Sequence, residues 1–189
     1  NLKTKAKASG VAKTKAKQVT KANRTAGSSA ISAKLFQRGR IAKDVVKKAT
    51  SMTREQWLKH QVGMDAKWPL PDYMNGTKGH MCFREDTYGI VTRWTANTKI
   101  QYRPHAKAPG SKSHLRYEKY SKAKTIAEAL QLSSYPMDWC WDYERGFIKV
   151  VGGEIRDEPL DMAKVEDPKK LTKVDLVIQT WYKRELAKQ

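Results

Sequence analysis

The chain is short of cysteine, of long apolar runs and, over its first third, of negative charge. Each shortage removes a class of protein. Its two cysteines, Cys82 and Cys140, form no CxxC pair. A disulfide-stapled scaffold of 189 residues would carry more of them, so both thiols are expected to be reduced and structural, in an intracellular or organellar compartment. No stretch approaches the ~18 consecutive apolar residues of a membrane span. No charged-then-apolar leader opens the sequence either. Beginning at Asn1 rather than Met, the chain reads as a processed or partial form, which leaves organelle import open.

Reactive constellations are equally sparse. His80-x-Cys82 offers one ligand pair, while His60, His105 and His114 are dispersed. A zinc site wants four clustered ligands, so no metal or cofactor is expected. Gly110-Ser111-Lys112-Ser113 resembles a phosphate loop superficially, but the pattern's first glycine is missing and Pro109 precedes it. Asp138, Asp142 and Glu144 lie close together beside Trp139 and Trp141. A carboxylate pair across a cleft could hydrolyse glycosides. The simpler expectation is surface acids paired with Arg145 or Lys149, or a first helical turn. No Ser/His/Asp or Cys/His spacing supports nucleophilic catalysis, and the chain is read as a non-enzyme.

What the chain has in excess is cations: 38 Lys+Arg against 19 Asp+Glu, a net charge of +19. Residues 1–60 hold 16 basic and 2 acidic side chains, residues 61–150 hold 14 and 9, and residues 151–189 hold 8 and 8. A surface this positive lowers its free energy by meeting phosphates, the densest polyanion in a cell. A core is still available, because six Trp, eight Tyr and three Phe each bury a large area.

Four regions follow from the pattern. Residues 1–27 lack both carboxylates and aromatics, and Lys3-Thr4-Lys5-Ala6-Lys7 recurs as Lys13-Thr14-Lys15-Ala16-Lys17. Such a segment cannot bury enough apolar surface to offset its chain entropy, and is expected to be an extended basic tail. Residues 28–62 read as a basic helical extension, with Ile31, Leu35, Ala42, Val45, Val46 and Ala49 at helical spacing and a break at Gly39. Thr53 and Gln56 form a capping box that opens a short helix through Trp57 and Leu58. Trp68-Pro69-Leu70-Pro71 begins a linker over 63–78.

Residues 79–189 are expected to fold as a small α+β domain, an antiparallel sheet packed with short helices. Met81–Phe83, Tyr88–Trp94 and Lys99–Tyr102 read as strands with turns near Asp86 and Asn97, and Phe147–Val151 as another. Thr125 with Glu128 caps a helix over Ile126–Leu132. Asp167-Pro168 starts the last helix, with Leu171, Val174, Ile178, Trp181 and Tyr182 along one face.

Two basic regions carry the expected nucleic-acid contacts. In the tail and extension these are Lys3, Lys5, Lys7, Lys13, Lys15, Lys17, Lys21, Arg24, Arg38 and Arg40. In the loop after Tyr102, cations alternate with aromatic and hydroxyl groups: Arg103, Lys107, Lys112, Arg116, Lys119 and Lys122 would meet phosphates, and Tyr117 and Tyr120 would stack on bases. The function these features imply is structural RNA binding in a large ribonucleoprotein particle. A ribosome, mitochondrial and plastid ones included, is the first expectation, with the basic tail penetrating rRNA beside neighbouring proteins. Two alternatives stay open. Lys/Ala-rich acid-free segments resemble linker-histone tails in composition, which would make this a nuclear DNA-condensing protein. The chain could also be a basic scaffold subunit on an acidic protein assembly.

Overall fold

Thr53 opens a helix, as its capping box implies. Its hydroxyl accepts from Gln56 N at 3.2 Å, and Gln56 Oε1 accepts from Thr53 N at 2.9 Å. The helix so opened, α1, is Arg54–Gln61. A computed structural model describes residues 52–76 and 83–188 of the chain. Among these the architecture is α+β: six α-helices and one two-stranded antiparallel sheet. The tail over 1–27, the helix expected around residue 39 and the strand residues Met81 and Cys82 lie outside the described residues.

After α1 the order is α2 (Glu85–Val91), β1 (Lys99–Tyr102), α3 (Lys112–Tyr120), α4 (Ile126–Gln131), α5 (Pro136–Glu144), β2 (Ile148–Gly152) and α6 (Lys173–Leu186). β1 and β2 pair antiparallel, with Ile100 opposite Val150 and Tyr102 opposite Ile148 and a bulge between Lys99 and Ile100. The two strands lie about 45 residues apart in sequence, so three helices intervene before the sheet closes. Their inner side chains meet Trp94, Trp139, Tyr117, Tyr120, Ile126 and Ile178, each at most 1% exposed. Packed on α4 and α5, α6 contributes Val174, Val177, Ile178 and Trp181 along one face. Tyr88 of α2 stacks on Trp181 with ring centroids 5.5 Å apart.

Three expectations are corrected. Tyr88–Trp94 is mostly helix: Glu85 and Asp86 sit in the first turn of α2, favoured by its dipole, and Thr87 and Val91 are the buried pair, four residues apart. Only Trp94, beyond the helix, bridges to Ile155 as a strand residue would. Asp167-Pro168 opens a single 3₁₀ turn, Pro168–Lys170, in which Asp167 accepts from Lys169 N at 3.0 Å. The long helix starts later, where Thr172 and Asp175 form the capping box of α6. Finally, residues 63–76 do more than link, since Trp68 and Met74 are both buried. Gly146, at φ +64°, lets this segment approach: a Cβ there would sit 2.7 Å from Trp68 O and 2.9 Å from Pro69 O.

Candidate nucleic-acid interface

The stretch that sequence marked as a basic loop folds half into helix. Ser111 Oγ accepts from His114 N at 3.0 Å and starts α3. His114, Tyr117 and Tyr120 then fall on one face, three residues apart, and all are buried. Lys112, Arg116 and Lys119 fall on the other. The buried face ties down the loop before it. His114 Nδ1 donates to Lys107 O at 2.7 Å, and Tyr117 Oη donates to Arg103 O at 2.7 Å.

Tyr117 and Tyr120 are therefore not stacking platforms. Both are fully buried, and no base reaches either ring without unfolding α3. Burial, reinforced by the negative charge of Asp142, pushes both phenols far above their ordinary range, and Tyr102 with them. The Tyr117 and Tyr120 hydroxyls serve the interior as donors.

Three of the expected phosphate ligands are likewise taken up inside the protein. Arg103, only 6% exposed, places Nη1 2.9 Å from Asp65 Oδ1. Lys107 Nζ lies 2.8 Å from Asp142 Oδ1, donates to Tyr120 Oη at 2.7 Å, and faces the Tyr117 and Tyr120 rings at 5.1 and 5.4 Å. Tyr120 Oη donates in turn to Asp142 Oδ2 at 2.8 Å, closing a three-membered network. Arg116 grips Asp138 with both Nη atoms, at 3.2 and 2.5 Å, and donates to Ser133 O. Burial opposes the Arg116 charge, but this carboxylate outweighs it and the guanidinium is held more firmly protonated.

The acids of α5 are thus interior groups, not surface acids paired with Arg145 or Lys149. Asp138 also accepts from Tyr135 N at 3.1 Å, and Glu144 accepts from Arg84 N and Thr87 Oγ1, both at 2.8 Å. Asp142 has no exposed surface, and burial raises its carboxyl to about 6 despite Lys107. Each acid is engaged by its own partner, which leaves no carboxylate pair facing a common cleft. Cys140 on the same helix is a free, fully buried thiol pushed upward by burial. Among the described residues no three His, Cys, Asp or Glu side chains cluster as metal ligands would, and no helix is long and apolar enough to cross a membrane.

What remains outward is a lysine face and a groove. Lys112, Lys119, Lys122 and Lys124 are exposed, on α3 and the turn that follows it. Lys3, Lys5, Lys7, Lys13, Lys15, Lys17, Lys21, Arg24, Arg38 and Arg40 lie outside the described residues. Beside the N-terminal end of α3 runs a groove of two adjoining cavities, of about 530 and 670 Å³, that share Trp57, Ala106, Arg145 and Phe147. One wall is α1, fixed because Trp57 Nε1 and Gln61 Nε2 both donate to His105 O, at 2.7 and 3.0 Å. The other is the stripe Met137, Trp141 and Arg145 of α5 and its C-cap, spaced four residues apart. Trp141 is 41% exposed, and the Arg145 guanidinium lies over its ring with the central carbon 3.2 Å from the centroid.

Trp57, Met137, Trp141 and Arg145 were not among the nucleic-acid contacts expected from sequence. The signal existed: positions 137, 141 and 145 form one helical stripe opposite the buried Trp139 and Cys140. It becomes visible only when the aromatic cluster is read as a helix opened by Pro136. Comparison with known protein families, curated proteins and solved structures finds no match for this chain.

Proposed function

We propose that this protein is a non-enzymatic, structural RNA-binding component of a large ribonucleoprotein particle, a ribosome of the cytoplasm or of an organelle being the first candidate. One observation carries the reading: about two thirds of the net positive charge, +13 of +19, lies before residue 52. Residues 1–51 hold 14 Lys+Arg and a single acid, Asp44, whereas residues 52–76 and 83–188 hold 23 against 18. Such a concentration of charge, on a segment with almost no aromatic side chains, suits a polyanion and little else. The exposed Lys112, Lys119, Lys122 and Lys124 give the domain a basic face of its own. RNA is favoured over duplex DNA because the exposed Trp141, set in a groove, suits unpaired bases, which duplexes do not present.

Sedimentation of the native protein from gentle lysate tests this. Release from a fast-sedimenting particle by RNase, with DNase without effect, is the expected result. Release by DNase alone moves the protein to chromatin. Indifference to both nucleases means that the basic surface meets protein or lipid, and the proposal fails.

A further inference from the structure

We infer that the groove between α1 and α5 is a receptor for an unpaired nucleobase, with Trp141 as its stacking platform. The inference rests on the RNA-binding reading above and goes further, because it assigns to the folded domain a preference for single strands that a lysine-rich tail cannot supply. Lysines meet phosphates, which single strands and duplexes share; a flat aromatic face meets only bases that have left the stack.

Three observations converge on Trp141. It is the one tryptophan among the described residues exposed by as much as 41%, on a helix whose next-but-one neighbour Trp139 is fully buried. A side chain of that size costs free energy in contact with water, and here it stands in a concave site rather than on an open face. Its orientation is set in advance: Arg145 covers part of the indole and donates through Nη1 to Trp141 O at 3.4 Å. A preset aromatic loses little side-chain entropy when a base arrives, and the guanidinium that covers one part of the indole leaves the base to meet the rest of it.

The surroundings match the rest of a nucleotide. Of the cations that line the two cavities, Arg103, Lys107 and Arg116 are held by Asp65, Asp142 and Asp138, so Arg145 and the exposed Lys112 on the rim are the charges placed to meet a phosphate. Ser111 and Ser113, whose hydroxyls lie 3.1 Å apart at the start of α3, supply short polar groups on the same rim, and Lys112 between them is exposed. The apolar floor of Ala106 and Phe147 can receive the body of the base. Asp142 behind Lys107 keeps that lysine's position fixed whether or not a ligand is present.

The experiment uses the full chain and two fluorescent RNA probes of equal length, a twelve-residue oligouridylate and a twelve-base-pair duplex, followed by anisotropy. The expected result is that Trp141→Ala weakens oligouridylate binding roughly ten-fold, the effect of losing one stacked base, and leaves duplex affinity unchanged. Trp141→Phe, which keeps an aromatic face, should recover most of the loss. A chain of abasic sugar-phosphates should bind the parent protein only as well as oligouridylate binds Trp141→Ala. Equal affinity of Trp141→Ala and the parent for oligouridylate would overturn the base receptor while leaving RNA binding intact. An equal loss on both probes would overturn it too, since it would assign Trp141 to general folding. Failure of the parent to bind either probe would instead sink the functional reading on which the inference stands.

Discussion

Asp142 pays for its position in the interior of the domain. In an unfolded chain its carboxyl titrates near 3.8, and burial lifts it to about 6 in the fold even with Lys107 at 2.8 Å. Between those values the folded state holds a proton that the unfolded state has already lost. The contribution of Asp142 to stability is therefore greatest below pH 4, declines as pH rises through 6, and is level above that. Urea midpoints measured at pH 4, 5, 6 and 7 should show this decline superimposed on the rest of the titration. Lys107→Met removes the cation that holds the carboxyl down, so the same decline should extend to higher pH. Asp142→Asn should abolish it, and at pH 7 should cost about 3–5 kcal/mol because the Lys107 ammonium is left without its anion. A pH profile identical in Asp142→Asn and the parent would refute this account. The network also explains why the basic loop was misread from sequence. Arg116 finds Asp138 22 residues away and Arg103 finds Asp65 38 residues away. Composition registers the cations of a loop but not the acids that folding brings to them. Tyr117 and Tyr120 look like stacking residues for the same reason, until the spacing 114, 117, 120 is recognised as the inner face of a helix.

Elements were legible where their signals are local. The capping threonines Thr53 and Thr125 each accept from the backbone N–H three residues on, and α1 and α4 begin where those residues say. Strand β1 also follows its alternation, with Ile100 and Tyr102 buried and Lys99 and Gln101 exposed. Residues 85–91 mislead because Tyr88, Ile90 and Thr92 alternate as a strand would, while the decisive pairing of Thr87 with Val91 is made against a core assembled from distant segments. The docking of residues 63–76 was invisible for a related reason: it depends on a missing side chain at Gly146. A Cβ there meets two backbone carbonyl oxygens within 2.9 Å, and neither can turn aside as a flexible side chain would. Gly110 is the natural control, since it too has positive φ, at +84°, but has nothing within 4 Å of its Cβ position. Gly110→Ala should cost only the left-handed backbone penalty of roughly 1–2 kcal/mol. Gly146→Ala should cost more and should expose residues 63–76 to limited proteolysis under conditions where Gly110→Ala remains intact. Equal resistance of the two variants would show that the approach of Trp68 and Pro69 does not depend on that glycine.

At the scale of the whole molecule, charge is divided between two uses. Within the described residues, the most buried cations are consumed in fixing the fold, as Arg103, Lys107, Arg116 and Arg156 are by Asp65, Asp142, Asp138 and Asp175. Such pairs release no counterions when a polyanion binds, so they should add little to the salt dependence of binding. The first 30 residues are different: they hold eight Lys+Arg and no acid. If all eight neutralise phosphates of single-stranded RNA, the slope of log affinity against log salt concentration steepens by up to about 6. Deleting residues 1–30 should flatten the slope by an amount approaching that limit and weaken binding most at low salt. The pH dependence of the Asp142 network should meanwhile be unchanged, because its members all lie beyond residue 100. Trp141→Ala should do the reverse, lowering single-strand affinity by a similar factor at every salt concentration, since stacking displaces no ions. The two variants together separate the electrostatic and the stacking parts of recognition. Unchanged affinity and slope after the deletion would show that the tail's charge serves something other than RNA, and would leave the four exposed lysines 112, 119, 122 and 124 as the domain's own phosphate-binding surface.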